Sequence, residues 1–152
     1  MKFCNYCGRL YDEQKGLCPC RPKKEREWNN KYHKAFYDTK RWRKIRETIK
    51  ARDFNMDRLQ LYFSKTGRPK VKSIEQQIYD YVMDASDVPR KFEGTYIVHH
   101  IVPREDNYSL QFNEHNLITL NTYTHEYIHM MYKHCKESVQ QLLTKAVDTV
   151  LP

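Results

Sequence analysis

Residues 96–129 read YIVHHIVPREDNYSLQFNEHNLITLNTYTHEYIH and hold five of the chain's seven histidines, two of them adjacent. Tyr96, Ile97 and Val98 form a short β-rich run closing on His99-His100, which predicts a strand. Asn116 follows in a polar loop, and 117–120 predicts a second strand. His125 and His129 stand four residues apart; on a helix that spacing turns about 400°, so both imidazoles point the same way and can share one ion. One ligand from the strand (His99) and two from the helix (His125, His129) give three nitrogens, with positions left for a substrate phosphate and water. Alternation along a strand turns His100 away from His99, so His100 suits proton abstraction better than ligation. Taken singly, two adjacent strand histidines are an ordinary core and surface pair, and an HxxxH pair is an ordinary helix face. The ordered set outweighs both readings. His115 and His134 fall outside it: His115 adjoins Asn116 facing away, and His134 is five residues from His129, off the helix face.

The series HHIVP, NLITL, HEYIH resembles the HNH endonucleases, whose core is a ββα-metal unit of two antiparallel strands and a helix around one divalent cation. The spacing from His100 through Asn116 to His125 and His129 is close to that of colicin-type nucleases, and FYDTKRWRKIRETIKARD (36–53) is similar to phage HNH proteins. The resemblance implies an α+β fold: a ββα-metal (HNH) core with flanking helices and a small N-terminal zinc-ribbon-like segment. It implies His100 as general base, one cation on His99, His125 and His129, and Asn116 tying the loop to the base strand and orienting His100, although the family's Asn is a ligand in some members. Many phage HNH proteins also carry a structural zinc on two CxxC pairs. Here Asn121 and Thr124 stand where the second pair would be, and FNMDRLQL (54–61) has no cysteine. That zinc is expected to be absent, with the insert before Tyr96 as the candidate replacement.

Length and composition bound the rest. At 152 residues with 39% apolar residues and a mean hydropathy of −0.91, one domain with a thin core and small appendages is expected. No run of about 18 apolar residues predicts a membrane span, and the first residues, MKFCNYCGRL, lack a signal-peptide stretch. The expected compartment is the cytoplasm, that of the host if the chain is phage-encoded. A net charge of +8 and a pI near 9.2 favour polyanionic partners.

The organisation expected is a zinc-ribbon-like segment at 1–22, a basic linker at 23–38, an HNH nuclease domain at 39–134 with inserted helix and loops at 64–94, and a C-terminal amphipathic helix at 135–152. Cys4, Cys7, Cys18 and Cys20 can close a four-thiolate zinc site, with Gly8 and Gly16 permitting the turns; in a reducing compartment metal is favoured over disulfide. So short a segment would take its folding energy from the ion. Cys135 stands apart as an ordinary thiol. Residues 21–34, with Trp28 and Tyr32 among charges, are either a solvated linker or a segment tracking a phosphate backbone. Thr39 can cap a helix running to about Ala51 with Trp42, Ile45 and Ile49 buried. Arg41, Arg43, Lys44, Arg46 and Lys50, with Arg52, crowd its remaining surface and are candidate DNA-backbone contacts. Residues 56–63 fit helix or strand. Ser73 and Gln76 form a capping box opening a helix over 74–83, 88–94 is a loop, and Val139, Leu142, Leu143, Ala146, Val147 and Val150 make the C-terminal apolar stripe. Arg104 either clamps phosphate bidentately or is a surface arginine.

The leading expectation is a divalent-metal-dependent endodeoxyribonuclease. An all-imidazole shell favours transition metals in binding, and Mg²⁺, Mn²⁺, Zn²⁺ and Ni²⁺ are all candidates for the working ion. The alternatives are a catalytically silent HNH scaffold that binds DNA or assists packaging, and a purely structural zinc protein. The resemblance adds terminase or other phage packaging proteins as possible partners beside DNA, and leaves monomer and homodimer open.

Overall fold

Three short polar side chains mark helix starts, each satisfying a backbone N–H that the first turn would leave unpaired. Thr39 accepts from the Trp42 amide at 3.2 Å, Asp57 from the Gln60 amide at 3.1 Å and Ser73 from the Gln76 amide at 3.4 Å. They open α1 (Lys40–Arg52), α2 (Arg58–Thr66) and α3 (Ile74–Met83). The ambiguous stretch 56–63 is therefore helical from Arg58 onward. The capping box is half made: the Gln76 side chain does not return to Ser73 but donates from its Nε2 to the Pro69 carbonyl at 3.1 Å. The computed structural model describes residues 1–4, 7–12, 14, 18, 20, 34–84 and 95–150. Gly16, Trp28, Tyr32, most of the 23–38 linker and the 88–94 loop lie outside the described residues.

β3 (Tyr96–His100) pairs antiparallel with β4 (Leu117–Asn121) in the register His99 to Ile118 and His100 to Leu117. Period-two alternation gives this hairpin two apolar faces. Val98 and Leu117 pack with Phe36, Trp42 and Ile49 on the α1 side. Ile118 and Leu120 join Leu59, Phe63, Ile78, Val82, Ile128 and Leu142 from α2, α3 and the helix after β4 on the other. α4 is one helix, Thr122–Asp148, opened by Asn121 and kinked at Cys135 (φ −153°, ψ 48°). The HxxxH segment and the expected C-terminal helix are thus continuous, with only a local break between them. Val139, Leu142, Leu143, Ala146 and Val147 are buried; Val150 lies past the helix end and is 81% exposed, so it leaves the stripe. Among the described residues the fold is mixed α+β, with two small antiparallel sheets among helices.

The edge of β4 away from β3 is closed by side chains. Asp53 accepts from the Thr119 amide and Asp57 from the Asn121 amide, each at 2.9 Å, and the Thr124 hydroxyl also bonds to Asp57. Arg58 donates to Asp53 at 3.1 Å and to the carbonyls of Ala146, Val147 and Thr149 at 2.8–3.1 Å. One guanidinium thereby neutralises a buried carboxylate and satisfies carbonyls that the end of α4 leaves open. Arg52 pairs with Asp53 and donates to the carbonyls of Glu114 and Leu117 at 2.7 Å. It belongs to this network rather than to a solvated basic face. The insert contributes by packing: Tyr81 of α3 stacks on Tyr127 of α4 at 3.9 Å. The bonds at Asn121 and Thr124, however, come from Asp57.

At the N-terminus β1 (Lys2–Phe3) pairs with β2 (Leu10–Tyr11). This hairpin lies on α4: Lys2 is 3.7 Å from Glu126, and a Cβ on Gly8 (φ +73°) would sit 3.9 Å from His134 Nε2. Among the described residues no helix is long and apolar enough to cross a membrane.

Candidate metal centre

β3 carries His99 and His100 on opposite faces, so each meets a different helix. His99 points to α4, its ring centroid 5.1 Å from those of His125 and His129. One ligand nitrogen from each of the three lies within 4.8 Å of the others, and the Nε2 atoms of His125 and His129 are 2.9 Å apart. Helical spacing produces that closeness: four residues bring the two rings to the same side, and β3 supplies the third.

Burial keeps the His99 and His125 rings neutral. It is the main cause holding His99 well below the ordinary histidine range, reinforced by His129, His125 and His100. Burial, then His129, then Lys2 bring His125 down to about 3. Neutral imidazoles with converging lone pairs form the donor set a divalent transition ion takes. The residues therefore fit a metal, and its identity is open.

His100 points to α1, where it stacks on Trp42 (5.0 Å, 20°) and touches the Phe36 ring at 5.8 Å. Its Nε2 lies 3.0 Å from the Gln111 carbonyl. A carbonyl only accepts, so Nε2 carries the proton and the neutral ring is basic at Nδ1. Asn116 braces the same loop. Its Oδ1 accepts from the Val102 amide at 2.8 Å, and its Nδ2 donates to the carbonyls of Val102 at 3.1 Å and Leu110 at 3.3 Å. Leu110 directly precedes Gln111, so Asn116 holds the peptide segment whose next carbonyl fixes His100.

Both faces open onto one groove of about 670 Å³ along the edge of β3 that β4 does not pair, with His99, His100, His125 and His129 in its lining. Of the basic residues expected on a nucleic-acid face, Arg46, Lys50 and Arg104 line this groove. Arg46 and Lys50 follow Trp42 at four-residue steps on α1, which sets them on the groove side. Arg104 lies over the Phe36 ring at 3.6 Å. Arg41 sits over Phe112 at 3.9 Å, and Arg43 and Lys44 are exposed elsewhere on α1. His115 lies 3.6 Å from Asp148 and is largely exposed; it takes no part in the cluster.

A second cluster forms at the N-terminus. Cys4 and Cys20 sulfurs are 3.4 Å apart and those of Cys7 and Cys18 3.6 Å, with all four within 4.8 Å of one another. These separations are too long for an S–S bond of about 2.05 Å and near the edge of a tetrahedron with about 2.3 Å metal–sulfur bonds. The four thiols can hold a metal.

Sequence reasoning missed Tyr132. Its hydroxyl lies 3.2 Å from His99 Nε2 and donates to the Ile101 carbonyl at 2.6 Å. One clue was available: Tyr132 stands three residues after His129, on the same helix face. Comparison with known proteins gives no match to this chain, whether among family models, curated proteins or solved structures.

Proposed function

We propose that this chain is a metal-dependent endonuclease of the HNH type that hydrolyses DNA phosphodiester bonds. The observation that carries the reading is the division of labour at His99-His100. One ring converges with His125 and His129, and its neighbour opens to the same groove with its basic nitrogen set by a backbone carbonyl. A structural metal site would need the first arrangement and has no use for the second. A basic chain with Arg46, Lys50 and Arg104 on the groove wall supports a polyanionic substrate.

In this mechanism His100 accepts a proton from the attacking water at Nδ1, which requires the ring to be neutral beforehand. The Gln111 carbonyl stabilises the charged ring that results, because Nε2–H then donates with greater strength. Asn116 keeps that carbonyl in place and is a positioning residue. Arg46, Lys50 and Arg104 hold the phosphate backbone. His99, His125 and His129 would hold the divalent cation, which supplies charge relief to the phosphoryl and leaving oxygens. Cys4, Cys7, Cys18 and Cys20 would hold a structural zinc.

The test is conversion of supercoiled plasmid to nicked or linear forms with Mg²⁺, Mn²⁺, Zn²⁺ or Ni²⁺ and without metal. Cleavage that needs a divalent cation and disappears in His100→Ala and in His125→Ala supports the reading. A folded, metal-loaded protein that binds DNA and cuts with none of these ions would make it a silent scaffold.

A further inference from the structure

We infer that Tyr132 is a positioning residue that locks His99 in its Nε2–H form and thereby commits His99 to bind the cation through Nδ1. The inference rests on the metal-centre reading above but not on nuclease activity.

Proton counting carries it. The Tyr132 hydroxyl has one hydrogen and two lone pairs. It lies 2.6 Å from the Ile101 carbonyl and 3.2 Å from His99 Nε2. A carbonyl cannot donate, so a 2.6 Å separation would set two lone pairs against each other unless the phenol donates there. Its hydrogen is thus committed to Ile101, and only a lone pair remains for His99. Nε2 must then be the protonated nitrogen, and the ring's lone pair is on Nδ1.

The anchor for this relay is itself fixed. The Ile101 carbonyl accepts a second hydrogen bond from Gln140 Nε2 at 3.2 Å, and the Ile101 amide donates to the Asn116 carbonyl at 2.8 Å. A phenol with an ordinary pKa of about 10 is protonated at neutral pH, so Tyr132 keeps its donor. Both members of the His99-His100 pair thus spend Nε2–H on a held oxygen, one on Tyr132 and one on Gln111, which leaves the lone pair of each neutral ring on Nδ1. Outer partners of this kind fix the tautomer of metal-binding histidines and raise their affinity.

The test uses Tyr132→Phe, which removes the hydroxyl and keeps the ring, with Gln140→Ala as its control. Gln140→Ala also takes a hydrogen bond from the Ile101 carbonyl but does not touch His99. Long-range ¹H–¹⁵N correlation of the metal-free full-length protein should show His99 as the Nε2–H tautomer in the wild type and in Gln140→Ala, and as a mixture in Tyr132→Phe. Titration with Zn²⁺ against a chromophoric chelator, with the cysteine site already loaded, should show about 10- to 100-fold weaker binding in Tyr132→Phe alone. A wild-type His99 protonated at Nδ1 overturns the inference, whatever the variants do. So does equal weakening in both variants, which would mark a general effect on the Ile101 turn, or unchanged tautomer and affinity in Tyr132→Phe. Wild-type protein of the expected tautomer with no zinc bound at the histidines would sink the metal-centre reading instead.

Discussion

The Asp53 carboxylate accepts the Thr119 amide at 2.9 Å across a sequence separation of 66 residues. That bond closes the edge of β4 nearest the α1–α2 turn, and Arg58 holds the carboxylate from the other side. Asp53 and Arg58 are both buried, so deleting one leaves the other's charge without its partner in a poorly solvated place. Asp53→Ala should cost about 3–5 kcal/mol of stability, read as a lower urea midpoint with an unchanged slope. A loss under about 1 kcal/mol would show that water solvates the Arg58 guanidinium and the Thr119 amide in its place.

His99 and His100 should separate cleanly in function. His100→Ala should lower plasmid cleavage by about 10²–10⁴-fold while zinc affinity at the histidine centre stays within a few-fold of wild type. His99→Ala should lose metal and cleavage together. The measurements are metal titration and single-turnover cleavage on the same samples. Loss of metal in His100→Ala would reverse the two roles.

What the sequence made legible follows from local rules. Alternation separated the two histidines, four-residue spacing aligned His125 with His129, and Thr39 and Ser73 announced helix starts because capping is local. Four cysteines in 17 positions likewise announced a cluster. The buried network was not legible, because its partners are brought together only by tertiary structure. Asp53 and Asp57 flank a turn in which Phe54 and Asn55 adopt left-handed φ of 59° and 52°, and nothing in DFNMD says that its carboxylates face a strand 64 and 66 residues later. Arg52 looked like one more basic residue on α1 for the same reason. The insert was expected to replace a missing zinc; α3 packs on α4, but Asp57 is what bonds Asn121 and Thr124. The kink at Cys135 has neither Pro nor Gly to betray it.

Acid should destabilise the metal-free protein through the histidine centre. An unfolded chain protonates His99 and His125 below about pH 6.5. The folded chain resists, with His125 held to about 3 and His99 well below its ordinary range. The unfolded state therefore binds more protons in that window, so stability falls as pH drops through it and is flat in this respect above about 6.5. Each ring contributes at most about 1.4 kcal/mol per pH unit. Urea midpoints measured across the window would check this, and His125→Phe should flatten the slope by up to one proton's worth. No change in slope would mean that His125 titrates alike in both states.

Zinc loading of the cysteine cluster should release protons. Local desolvation, then hydrogen bonds to the neighbouring thiols, push the Cys20 thiol up to about 12, so it is protonated at neutral pH and must ionise to ligate. Calorimetry in buffers of different ionisation heat should count fewer protons, by about one, in Cys20→Ser. Affinity should weaken as pH falls, and elemental analysis should find this zinc retained in His125→Ala. Proton release unchanged by Cys20→Ser would remove Cys20 from the ligand set.

The basic face of α1 divides in two, and salt dependence should reveal the division. Arg46 and Lys50 line the groove beside the histidines, whereas Arg43 and Lys44 are exposed and do not line it. Each residue that neutralises a phosphate releases a counterion, so log K falls against log salt with a slope near −0.9 per contact. Arg46→Gln with Lys50→Gln should flatten that slope by roughly two units and weaken binding equally for unrelated sequences. Arg43→Gln with Lys44→Gln should leave the slope close to wild type, because a substrate seated over His99 and His100 is held from the groove side. Neither pair includes the buried Trp42 or Ile49, so both proteins should fold normally. A larger effect from the Arg43 and Lys44 pair would mean that DNA crosses the outer surface of α1 and reaches the histidines from another direction.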